Sequence, residues 1–80
     1  MPSVLQDLMP PDAPAPTAQD RALAAVYLRL LDAQAAGAPW QEAARLVLGL
    51  DPERDPSTAQ VQWAAFLARA EFVRDFSQRG

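Results

Sequence analysis

Few side chains in this 80-residue sequence could do covalent or acid–base chemistry. The hydroxyls are Ser3, Thr17, Tyr27, Ser57, Thr58 and Ser77, and histidine and cysteine are absent. No imidazole base, thiol nucleophile, zinc finger or haem ligation through histidine can therefore be assembled. Asp51, Glu53 and Asp55 alternate in one stretch, as ligands of a cation could. That stretch lacks the glycine and the terminal bidentate glutamate of a calcium loop, and Arg54 interrupts it. A solvated turn with helix-capping acids fits the spacing better. Gly37 and Gly49 stand alone, so they read as helix stops and not as a phosphate-cradling loop. The expectation is a protein that is not an enzyme, with no cofactor, no metal and no small-molecule substrate.

Binding chemistry is left, and charge limits which kind. Seven arginines face ten carboxylates, for a net charge of −3 and a pI near 4.6. Affinity for nucleic acid comes largely from neutralised phosphates, so an acidic chain is a poor starting point for it. Arg69, Arg74 and Arg79, joined by Arg45 or Arg54, are the phosphate contacts a DNA-binding version would have to use. That short set predicts weak, steeply salt-dependent binding. No stretch reads as a signal peptide or a membrane span, which makes a soluble cytoplasmic protein the expectation. Arginine without lysine, together with 17 alanines, suggests coding bias in a GC-rich bacterium.

The elements that must position these residues are helices. Residues 1–16 hold five of the eight prolines and read as a flexible Pro-rich arm. Within it, Val4, Leu5, Leu8 and Met9 would share one face of a short helix over 3–9 capped by Ser3. Residues 17–80 form the domain. Thr17 and Asp20 resemble a capping box, and Leu23, Val26, Tyr27, Leu30 and Leu31 recur at helical spacing. Helix boundaries of about 18–36, 39–48 and 56–77 follow, with Pro39 in the first position of the second helix and Asp55 capping the third. The fold class expected is all-α, a small trihelical helix-turn-helix-like domain.

The third helix is apolar nearly all round. Ala59, Trp63, Phe66, Leu67, Ala70 and Val73 make its core face, taken at 100° per residue. Val61, Ala65, Ala68, Phe72 and Phe76 make a second stripe almost opposite. Such a helix needs cover on both sides, which two other helices can hardly supply. Either the first helix and the arm wrap the second stripe, or the stripe is a face for another protein.

The stretch Leu28–Asp51 carries a recognisable frame. Leu28, Leu31, Asp32, Ala36, Gly37, Glu42, Ala44, Leu48 and Gly49 sit where the pattern L-x-x-L-D-x-x-x-A-G-x-x-x-x-E-I-A-x-x-L-F-G has its fixed places. On these residues the chain resembles the RovC-like DNA-binding domain family, frequent on integrative and conjugative elements, over about residues 22–75. The resemblance implies a helix-turn-helix variant and a role in transcriptional control. The sequence departs from the family where DNA chemistry would sit. The family's basic positions on the third helix fall on Gln60, Gln62, Ala64, Ala65, Ala68 and Glu71, which leaves Arg69 and Arg74. The Gly-Gly-Tyr-Arg motif that follows in the family is replaced by Ser77-Gln78-Arg79-Gly80.

Lost phosphate charge together with apolar surface is the pattern of the family's small stand-alone antiactivators. The resemblance then implies two partner classes: a LuxR-type quorum-sensing activator, and a larger activator built from related domains. Both would act on excision and conjugative transfer of a mobile element. The residues expected to meet such a partner are Val61, Ala65, Ala68, Arg69, Phe72 and Phe76. The alternative is a small DNA-binding regulator of the same fold, using Arg69, Arg74 and Arg79.

Overall fold

The computed structural model describes residues 9–79, all α-helix and connecting coil. The expected short helix over 3–9 lies outside the described residues except at Met9, which is not helical. Four helices follow in order: α1 (Ala18–Ala22), α2 (Ala24–Ala35), α3 (Trp40–Leu46) and α4 (Pro56–Arg79). The all-α class is as expected.

The first expected helix, 18–36, is divided. Leu23 leaves helical geometry at φ −96° and ψ 7°, although its N–H still reaches the carbonyls of Gln19 and Asp20. No proline or glycine sits there to break the helix. The interruption falls midway between Asp20 and Tyr27, whose side chains meet in a buried hydrogen bond. At the start of α1 the capping box is real. The Thr17 hydroxyl accepts from the Asp20 N–H, and the Asp20 carboxylate accepts from the Thr17 N–H.

The end of α2 shows why Gly37 is glycine. Its φ of 76° is left-handed, and the Ala38 N–H returns to the Ala33 carbonyl while the Gly37 N–H returns to Gln34. That is a Schellman closure, which satisfies two of the helix's last carbonyls. Gly49 ends the α3 region with φ 67°. Pro39 does not open α3 as its first residue. It is the extended N-cap, with ψ 147°, so α3 is shorter than expected at Trp40–Leu46. Asp55 caps α4 as expected, its carboxylate accepting from the Thr58 N–H at 3.2 Å.

The spine is α4, packed against both α2 and α3. Phe66, Leu67, Ala59 and Ala70 are buried on its core face with Tyr27 and Leu30 from α2 and Ala43 and Ala44 from α3. Leu48 and Leu50, just after α3, close the remaining side. Trp63 and Trp40 stack at a tilt with ring centres 5.9 Å apart, both partly buried against the core. Among the described residues no helix is long and apolar enough to cross a membrane.

Candidate functional site

The expected partner contacts lie on two neighbouring faces of α4, whereas Arg45 lies on α3, Arg54 in the turn before α4, and the Arg79 side chain outside the described part. The first face is polar and buried. Arg69 extends from α4 to Asp20 of α1, giving its Nε–H to Oδ1 at 3.0 Å and an Nη2–H to Oδ2 at 2.7 Å. This two-pronged pairing is the strongest geometry available to arginine and a carboxylate. The same carboxylate accepts the Tyr27 hydroxyl at 2.7 Å, the Thr17 N–H at 2.8 Å and the Thr17 hydroxyl at 3.1 Å.

Asp20 is 1% exposed and Arg69 8%, and the cluster's titration follows from that burial and its bonds. The Arg69 guanidinium, then the Tyr27 and Thr17 donors, outweigh the cost of burial and hold the Asp20 carboxyl far below the ordinary carboxylate range. Burial and the adjacent Asp20 carboxylate push the Tyr27 phenol well above its ordinary value. The hydrogen bond to Asp20 raises Arg69 as well. A carboxylate met by five donors and a phenol locked in its neutral form are poor proton carriers near neutrality. The cluster is therefore a staple between α1, α2 and α4, and among the described residues no buried side-chain polar atom lacks a partner.

Arg69 was expected at a partner surface or against phosphate, and the structure corrects that expectation. Its charge is neutralised inside the fold, and its remaining donors go to the arm: Nη1 to the Ala13 carbonyl at 2.7 Å and Nη2 to the Ala15 carbonyl at 3.1 Å. Arg74 is at the surface but lies 3.1 Å from the Asp75 carboxylate. Arg69 and Arg74 therefore do not form an exposed basic row.

The second face is apolar and divided between covered and open parts. Val61 is 62% exposed at one end and Phe76 41% at the other. Ala68 is also exposed, while Ala65 and Phe72 are half-buried. Phe72 is held on two sides: the Arg69 guanidinium stands 4.6 Å over its ring, and the Phe76 ring is 5.9 Å away at a tilt. Between them the arm crosses α4, so that Met9 to Pro14 line one wall of a groove of about 660 Å³ and Ala65, Ala68, Arg69 and Phe72 line the other. The arm therefore flanks the middle of the stripe, where Ala65 and Phe72 are half-buried and Ala68 is exposed, while Val61 and Phe76 at its ends are exposed.

The acidic stretch of residues 51–55 is engaged locally. Asp51 accepts from the Arg54 N–H and Asp55 from the Thr58 N–H, each at 3.2 Å. The Thr58 bonds hold the Asp55 carboxyl below its usual range. These are the turn and capping roles that the spacing suggested.

No protein-family model matches the chain, and no curated protein or solved structure matches it.

Proposed function

We propose that the protein is an antiactivator, binding a transcriptional activator through the second face of α4 and holding it out of use. The observation that carries this reading is the placement of Val61 and Phe76. Large apolar side chains stand in solvent at both ends of a continuous stripe, while the neighbouring arginines are occupied by carboxylates. Exposed apolar surface of this kind marks protein contact, and it gives no counterion release on DNA. The contact residues are Val61, Ala65, Ala68, Phe72 and Phe76, with Arg69 acting from behind by fixing Phe72.

The partners follow from the sequence resemblance to small antiactivators of the RovC-like family such as QseM. They are a LuxR-type quorum-sensing activator and a larger activator with related domains, in the cytoplasm of a bacterium carrying a conjugative element. Sequestration would deprive the activator of its dimer, its DNA contact or its polymerase contact. For DNA binding, the alternative, Arg69 would have to leave a buried carboxylate.

The test is affinity capture of the tagged full-length protein from its own bacterium, with mass spectrometry of the eluate. Recovery of an activator of either class is expected, with loss of at least tenfold on Phe76→Asp and no change in helical content. Capture unaffected by Phe76→Asp would remove this face from the reading. A promoter duplex retained at physiological salt, with no activator, would replace it by the DNA-binding alternative.

A further inference from the structure

The arm has an unusual attachment. Among the described residues, the apolar core and the partly buried hydrophobic residues packed on it lie between Leu23 and Val73. Residues 9–16 contribute none of them. It is held by the two Arg69 bonds to the Ala13 and Ala15 carbonyls and by lying along Ala65, Ala68 and Phe72. Arg69 pairs with Asp20 through Nε–H and one Nη2–H, and it holds the arm through Nη1 and the other Nη2–H, so the two sets of bonds use different hydrogens. Detaching the arm therefore leaves the buried ion pair, the Thr17–Asp20 capping box and the core complete. Water can take over the two exchanged carbonyls at little cost.

The prolines suit the arm to a reversible task. Pro10, Pro11, Pro14 and Pro16 restrict the detached chain, so seating it costs less entropy than seating an ordinary tail. They also keep it extended and free of helix, lying across α4 as a separate strand.

We propose that residues 9–15 are an autoinhibitory strap, a wall along the middle of the partner face that narrows it to a groove and must swing away for an activator to seat. This rests on the reading of that face as the partner site. In the closed form Val61, Ala68 and Phe76 are presented, while Ala65 and Phe72 are half-buried beside the arm. In the open form the stripe is free of that wall from Val61 to Phe76, a length of about 22 Å at 1.5 Å per residue, matching a partner helix of about four turns. Arg69 is the latch, since one guanidinium holds the ion pair, the strap and the Phe72 ring together.

The experiment compares the full chain with a chain that begins at Pro16, which retains the Thr17 N–H needed by the capping box. The probe is 8-anilinonaphthalene-1-sulfonate, an anionic dye that fluoresces on apolar surface, with circular dichroism as the check on folding. The strap predicts a several-fold gain in dye fluorescence without the arm, at unchanged helicity, and loss of that gain on Phe72→Asp in the shortened chain. Equal fluorescence from both chains would overturn it, as would a gain that survives Phe72→Asp. Should shortening reduce helicity, the full-length variant with Pro10, Pro11, Pro14 and Pro16 all changed to glycine takes its place under the same readouts.

Activator capture then separates this inference from the functional reading beneath it. A dye gain with no activator captured by either chain leaves the strap standing and removes the antiactivator. Equal dye binding with equal capture by both chains removes the strap and leaves the antiactivator.

Discussion

Arg69 and Phe72 are three residues apart on α4, and they invert the usual distribution of side chains. The charged residue is 8% exposed and enclosed, while the aromatic one is half-buried beside an open, apolar stripe. On the enclosed side, one carboxylate and one guanidinium fix how α1 meets α4. Apolar contacts alone slide easily, whereas a two-pronged ion pair with fixed donors does not. On the open side, Val61 is 62% exposed and Phe76 reaches solvent beyond its contact with the Phe72 ring. The difference suggests a division of labour within one helix: the enclosed face holds the domain together, and the open face is left for another molecule.

The sharpest way to break that division is to remove Asp20. Asp20→Ala leaves the Arg69 guanidinium buried without its counterion, and loss of one partner of a buried pair costs about 3–5 kcal/mol. In a domain of this size that is enough to unfold much of the population. Adding Arg69→Met removes the orphaned charge and should recover part of the loss, which urea denaturation followed by circular dichroism would measure. If Asp20→Ala proved no worse than a surface substitution, the enclosed face would not be what holds α1.

The same face sets a pH window. The Asp20 carboxyl titrates lower in the folded chain than the ordinary value of about 3.9. Its contribution is therefore complete above that value and is lost as pH falls below it. The Tyr27 phenol titrates higher than the ordinary value of about 10. Its contribution is complete below pH 10 or so and is lost as pH rises beyond. Tyr27 is the only tyrosine, so phenolate absorbance reports this group alone. We expect phenolate to appear together with loss of helicity in one alkaline transition. Phenolate appearing near pH 10 in a still-helical protein would mean that the cluster does not confine the phenol.

Periodicity in the sequence locates the core because burial repeats with the helix. Phe66, Leu67, Ala70 and Leu30 were legible for that reason, and so were the Gly37 stop and the Thr17 and Asp55 caps. The second stripe was legible too, as an apolar face without an evident cover. The staple was not. Asp20 already had a local role in the capping box, Tyr27 passed for a core residue, and Arg69 looked like a free cation on a helix. A signal was present: Asp20 and Tyr27 are two turns apart on one side, and Arg69 sits between Ala68 and Ala70 in an otherwise apolar stretch. Reading it requires knowing that α1 and α4 lie side by side, a contact spanning 49 residues that no local rule supplies. The break at Leu23 lies within this cluster, between Asp20 and Tyr27, and the arm is bonded to the same Arg69 guanidinium.

The open face gives the smallest effect on stability and the clearest contrast. Val61→Asp places a carboxylate where the native side chain already meets water, and surface changes away from special features stay within about 0.5 kcal/mol. Phe76→Asp also gives up the ring contact with Phe72, worth about 0.5–1.5 kcal/mol. Val61→Asp should unfold in urea at nearly the midpoint of the parent, and Phe76→Asp slightly below it. Phe72→Asp should cost more, because its ring lies under Arg69 and beside the arm, and a carboxylate there would compete with Asp20 for the guanidinium. That ordering, Asp20→Ala worst, Phe72→Asp intermediate, Phe76→Asp small and Val61→Asp near neutral, follows from how far each side chain is engaged by the rest of the domain. A large loss from Phe76→Asp would mean that the end of α4 packs against part of this chain, and the open face would have to be redrawn around Val61 and Ala68.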